Sequence, residues 1–204
     1  YKILSIDSYH FDSILMLASI AGINRDLDLA KTFLKKSIEI QPKNITALHN
    51  LGTCYKELGQ LEDAKIYYNK VLKINPEHIN SNYNLGIIFY DLKDLKTAKN
   101  YLEKTVTLQK NYGMAFFSLG NVHVDLKEYN EALSCYQKAI EINPKIVGAH
   151  NNLGLVYRTL NDLQSAVKSY KKAIEIQPRH VGAFHNLALA YKDLGRFGES
   201  IVSH

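Results

Sequence analysis

The sequence predicts an all-α protein built as an array of antiparallel helix pairs. Three observations carry this expectation. The four prolines, Pro42, Pro76, Pro144 and Pro178, are separated by 34, 68 and 34 residues. Gly52, Gly86, Gly120 and Gly154 recur every 34 residues, and so do Ala30, Ala64, Ala98, Ala132 and Ala166. Leu17, Leu51, Leu85, Leu119, Leu153 and Leu187 extend the same ladder to six rungs. A fixed period of this length marks a helical repeat array, in which each unit buries its apolar face on its neighbours.

The period divides the chain into full repeats at 11–44, 45–78, 79–112, 113–146 and 147–180. Residues 1–10 fit the end of a preceding repeat and 181–204 a partial sixth, all in a single array. Numbered from 1 to 34 within a repeat, helix A is expected over roughly positions 1–14 and helix B over roughly 17–30. A short polar turn such as Glu57–Gln60 joins them. Proline at position 32 stops helix B, because it cannot continue the hydrogen-bond ladder. Gly or Ala at position 8 allows helices A and B to approach closely. Repeat 79–112 departs from the pattern with Leu102, Thr105 and Lys110, and repeat 11–44 opens poorly at Ile14–Gly22.

The ordered set of Leu-Gly, Tyr, Ala, Tyr, Ala and Pro is clearest in Val147–His180, at Leu153, Gly154, Tyr157, Ala166, Tyr170, Ala173 and Pro178. It resembles the tetratricopeptide repeat family over the whole chain. The resemblance implies a right-handed superhelical solenoid. It also implies a concave groove, lined by A helices, that holds extended peptides or partner helices. Both ends of the chain fall inside a helix B without a capping helix, which reads as a piece of a larger protein.

Composition narrows the function class. With 46% apolar and 22% charged residues the chain reads as folded and soluble. Its longest apolar run, Ile14–Ile23, is about half of a membrane span, so no membrane partner is expected. Cys54 and Cys135 form no CxxC or zinc spacing and read as reduced thiols of an intracellular, cytoplasmic protein. No HExxH, GxSxG, Walker loop or GxGxxG is present. The expectation is therefore a chain with no catalytic residues, no metal and no cofactor. His123 and His150 read as packed side chains, and Tyr55, Tyr157 and Tyr191 as core. His49 and His185 stand too far apart to share a metal.

A helix turns about 100° per residue. Positions 4, 7, 8 and 11 of helix A then share the face packed on helix B, and positions 2, 5, 6, 9, 12 and 13 form the opposite face. Position 6 of that face holds Asn50, Asn84, Asn152 and Asn186, with Ser118 as a gap. Asparagine is a poor mid-helix residue, since its amide competes for backbone bonds. Its carboxamide matches a peptide unit in donors and acceptor, so a row of them can hold an extended chain by its backbone. The row is similar to the asparagine ladder in the repeat arm of protein O-linked N-acetylglucosamine transferases. The other reading is that these residues bond neighbouring repeats or water.

Tyr83, Ile87, Tyr90, Met114, Phe117 and Val124 fall on the same face and are expected to form an exposed apolar hot spot. Asn121, Asn151, Lys56 and Arg158 complete the expected peptide-binding set. Against Lys56, Arg158 and Lys192 stand Asp12, Glu57, Asp91, Asp125 and Asp193, so the formal charge of +5 lies elsewhere, in helix B pairs such as Lys35-Lys36 and Lys171-Lys172. Nucleic acid needs a basic track, which this face lacks. The lysine and arginine set of the family's carboxylate clamp is also missing. The expected function is a non-catalytic scaffold for a protein or peptide. The alternative is the substrate-selecting arm of a multidomain transferase with its catalytic domain elsewhere. Terminal helices without caps also suggest self-association.

Overall fold

A computed structural model describes residues 10–195; the expectations for 1–9 and 196–204 lie outside the described residues. Among these the chain forms eleven helices and no strand. The A helices are α1 (Phe11–Ile23), α3 (Ile45–Glu57), α5 (Ile79–Asp91), α7 (Gly113–Asp125), α9 (Val147–Thr159) and α11 (Val181–Asp193). The B helices are α2 (Leu27–Ile40), α4 (Leu61–Ile74), α6 (Leu95–Leu108), α8 (Tyr129–Ile142) and α10 (Leu163–Ile176).

The chain divides into two compact units, Tyr1–Ile88 and Phe89–His204, with the division inside α5. In the first, α1 packs on α2, α2 on α3 and α3 on α4. In the second, each helix from α6 to α10 packs on its successor, and the A helices α7, α9 and α11 also touch in sequence.

The turns between helices A and B share one geometry. Position 15 has a positive φ throughout: Arg25, Gly59, Lys93, Lys127, Asn161 and Gly195 lie between 59° and 73°. In three of these turns the next residue caps helix B with its side chain. The carboxylates of Asp26, Asp94 and Asp162 accept from the backbone N–H groups of Leu29, Thr97 and Ser165, each at 3.1 Å. The B helices end before the proline, as expected from its missing donor.

The position-8 glycines are seats for tyrosine rings at position 24. A Cβ on Gly52 would lie 2.9 Å from the Tyr68 ring, and on Gly120 and Gly154 it would lie 2.6 Å from the rings of Tyr136 and Tyr170. All three rings are buried to within 1%. Glycine costs about 1 kcal/mol of helix propensity relative to alanine, whereas burying a large apolar side chain contributes about 2–3 kcal/mol. The seat therefore wins. In repeats 11–44 and 79–112 the shorter Leu34 and Leu102 fill position 24, both buried.

Two glycines should respond in opposite ways to the same substitution. Gly120→Ala forces its methyl into the Tyr136 ring and should lower unfolding stability by about 1–3 kcal/mol. Gly22→Ala meets nothing within 4 Å and should raise it by about 0.5–1 kcal/mol. Urea denaturation of both variants checks the pair.

Candidate functional site

The candidate site is the face of the A helices turned away from the B helices, described in each unit separately. In the second unit, four carboxamides from α7, α9 and α11 form a continuous chain. Asn186 Nδ2 donates to Asn151 Oδ1 at 2.9 Å. Asn151 Nδ2 donates to Asn152 Oδ1 at 3.1 Å, and Asn152 Nδ2 donates to Asn121 Oδ1 at 2.9 Å. The Tyr136 hydroxyl donates to the same Asn121 oxygen at 2.8 Å. All four asparagines are half-buried. Every amide points its donor the same way along the row, so the dipoles reinforce one another. Among the described residues the Asn121 amide nitrogen donates to nothing and the Asn186 oxygen accepts from nothing. The row keeps a donor at its α7 end, an acceptor at its α11 end and one further N–H on each bonded amide.

The first unit differs. Asn84 is buried, and its oxygen accepts from Lys56 Nζ at 2.7 Å. Asn50 is half-buried and makes no hydrogen bond among the described residues. It lines a cavity of about 340 Å³ with Ala18, Ser19, Gly22, Cys54 and Glu57. Position 6 is thus less open than the helical wheel places it, most clearly at Asn84 and at Ser118, both under 10% exposed.

Position 5 moves further from expectation. It contacts the next repeat. The Phe117 ring fills the space beside Gly148, where a Cβ would lie 2.9 Å from the ring, and tilts against Tyr136 at 6.0 Å. His49 reaches Ser81 Oγ at 3.1 Å. Of the six residues expected to form an exposed patch, only Met114 is exposed; Tyr83, Ile87, Tyr90, Phe117 and Val124 are half-buried. Tyr90 belongs to a polar group in the second unit, with Lys93 Nζ 5.1 Å from its ring centre and 3.6 Å from Asp125. Leu155, 37% exposed, is an apolar group on this face. Arg158 is paired with Asp193 at 2.7 Å. Lys56 and Arg158 are therefore each held by a neighbouring repeat.

Position 9 has a role that the wheel alone does not reveal: it meets the hydroxyl of the seated tyrosine. Thr53 Oγ1 bonds the Tyr68 hydroxyl at 3.1 Å, and Asn121 bonds that of Tyr136. In repeat 79–112 both positions are apolar, Ile87 at 9 and Leu102 at 24. In repeat 147–180 the pairing breaks: position 9 is Leu155, and the buried Tyr170 hydroxyl has no partner among the described residues. Burial pushes the Tyr170 phenol up to about 12, so its proton stays on. The sequence signal for this role is the co-occurrence of a polar position 9 with tyrosine at 24.

Position 4 closes the junction between repeats. Asn82 Nδ2 donates to the Pro76 carbonyl at 3.1 Å, and His150 Nε2 meets the Pro144 carbonyl at 2.9 Å. His123 is also buried, with Nδ1 at 2.6 Å from Glu128, which accepts from Lys99 at 2.8 Å. Both histidines are packed, as expected. Tyr55 and Tyr191 are buried and Tyr157 half-buried. Cys54 and Cys135 are free thiols, buried and half-buried. No described helix is long and apolar enough to cross a membrane.

Two measurements check this geometry. Tyr136→Phe should cost about 0.5–1.5 kcal/mol by leaving a hydrogen bond unmade. Tyr170→Phe removes an orphan hydroxyl and should be neutral or stabilising, read by the same denaturation assay. The second concerns pH. His49, packed 5.0 Å from the His78 ring, is pushed down to about 4, chiefly by burial and then by the charges of His78 and Lys56. The folded state therefore favours neutral His49. Its contribution is present above the ordinary histidine value near 6.5 and is lost as pH falls to about 4, on the order of 3 kcal/mol. The stability difference between wild type and His49→Asn should change by that amount between pH 7 and pH 4; a constant difference would contradict the assignment.

Family models for the tetratricopeptide repeat match residues 11–44, 45–78, 79–112, 120–161 and 154–195. No curated protein matches the chain. Among solved structures it is similar to the MamA protein, at 28% identity over 78% of this chain and 87% of that one, with a TM-score of 0.73. It is similar also to YrrB, described as a TPR protein with an unusual peptide-binding site, at 27% identity over 90% and 95% of the two chains and a TM-score of 0.75. Pseudomonas aeruginosa pilF shares the fold, with a TM-score of 0.83 and 17% identity over 95% and 88%. From the recurring seats, the helix pairs and these matches, the chain belongs to the tetratricopeptide repeat family.

Proposed function

We propose that this protein-interaction scaffold holds an extended peptide along the exposed face of its A helices, gripping the peptide's backbone with asparagine carboxamides. The observation that carries this reading is the one-way amide row from Asn186 through Asn151 and Asn152 to Asn121, with its spare donors and terminal acceptor. Backbone amides of any sequence match such groups. The bonds within the row orient the amides before a ligand arrives, which reduces the ordering cost of binding. Asn50 supplies the equivalent group in the first unit, beside its own cavity. Met114 and Leu155, two exposed apolar groups on this face of the second unit, provide side-chain selectivity. The similarity to YrrB, a repeat protein with a peptide-binding site, supports a peptide as the ligand class.

Selection of extended peptides from a display library on the wild-type chain, followed by measurement on variants, tests the reading. Asn186→Ala should weaken the selected peptides severalfold, and Asn50→Ala should leave unfolding stability within about 0.5 kcal/mol. Asn50/Asn84/Asn152/Asn186→Ala should abolish their binding while circular dichroism stays helical. Unchanged affinity in the helical quadruple variant would overturn the proposal.

A further inference from the structure

A second surface emerges around position 23 of the B helices, where they meet position 11 of the A helices. In two repeats this position stacks an aromatic ring on the residue at position 11. Tyr67 lies on Tyr55 at 5.4 Å and 11° between planes, and Tyr101 on Phe89 at 5.7 Å and 4°. In repeat 147–180 the position-11 ring is kept as Tyr157, but position 23 is Ser169. Among the described residues no ring stacks on Tyr157. In place of the ring there is a cavity of about 770 Å³, bordered by Tyr157, Ser165 and Ser169, with Ile140 and Leu153 contributing apolar surface. The Tyr157 hydroxyl is held by Gln137 Nε2 at 3.1 Å, which fixes the ring as one wall.

The charge around this cavity is one-sided. Lys168, Lys171 and Lys172 stand against Glu141 and Glu175. Both acids are already paired, Glu141 with Lys138 at 2.9 Å and Glu175 with Lys172 at 2.7 Å. Lys168 and Lys171 have no acidic partner among the described residues; Lys171 instead lies 5.6 Å from the Tyr191 ring centre.

From these observations we infer that the cavity between α8 and α10 is a docking slot for a partner segment carrying an aromatic side chain flanked by acidic residues. The partner's ring takes the place over Tyr157 that Tyr67 and Tyr101 occupy in their own repeats. Its carboxylates meet Lys168 and Lys171. Aromatic anchors in pockets with complementary charge at the rim are the usual makings of a peptide interface. This surface is separate from the amide row and does not rest on it.

The test uses fluorescence anisotropy with a fluorescein-labelled peptide of alternating Asp and Glu around one central Phe. A control peptide has Ala in place of Phe. Wild type should bind the Phe peptide roughly tenfold more tightly than the Ala peptide. Ser169→Tyr refills the slot with the chain's own ring, a residue that the same position already carries at Tyr67 and Tyr101. It should remove that preference while the helical content and melting temperature are kept. Lys168→Glu/Lys171→Glu should weaken both peptides, and Asn152→Ala should leave the ratio of the two affinities unchanged. Equal affinity for the two peptides, no measurable binding, or an unaltered preference in Ser169→Tyr would overturn the inference. So would self-association that Ser169→Tyr abolishes, since a second copy would then be the occupant.

Discussion

The close approach of helix A to helix B at a glycine, with a tyrosine ring laid on the bare backbone, is the constraint on which the rest depends. It is repeated at Gly52 with Tyr68, Gly120 with Tyr136 and Gly154 with Tyr170. Each seat sets the distance and rotation of its helix pair. In the first two of these it also delivers a hydroxyl, once to Thr53 and once to Asn121 at position 9 of helix A. A packing device thereby becomes a polar one. At Tyr136 the hydroxyl fixes Asn121, and Asn121 begins the row of amides. The candidate binding face is thus anchored through the core.

The two readings of the recurring asparagine do not exclude each other. In the second unit Asn152 and Asn186 bond the neighbouring repeat, so the residue has a structural reason to recur. A carboxamide has more hydrogen-bonding groups than these bonds use. The bonds that tie the repeats together therefore leave further donors on the same amides. The first unit separates the roles, since Asn84 is buried with Lys56 while Asn50 lines an open cavity.

Much of the fold is legible in the sequence because its determinants are local and periodic. Pro at position 32, glycine at position 8 and the polar turn each act within one helix pair, and the helices begin and end close to where this punctuation places them. The face of a single helix is legible in the same way. What the sequence does not reveal is how far each A helix covers its neighbour. A helical wheel puts position 5 on the open face, yet Phe117 lies against Gly148 and His49 against Ser81. That depends on the spacing between successive A helices, which a wheel does not contain. Partnered polar groups escape for the same reason: Arg158 with Asp193 and Lys56 with Asn84 span 35 and 28 residues. The Leu155 and Tyr170 mismatch is readable in principle, once positions 9 and 24 are compared within each repeat.

Whether a preorganised amide row receives the ligand's backbone is tested most directly in the side-chain amide region of a nitrogen–proton correlation spectrum, recorded while a selected peptide is added to the labelled protein. If the row holds the backbone, the NH2 signals of Asn121, Asn152 and Asn186 move as the peptide saturates the protein, whatever side chains that peptide carries. If the peptide binds while those signals stay in place and others move, the amides serve only the packing of repeats, and the ligand sits elsewhere.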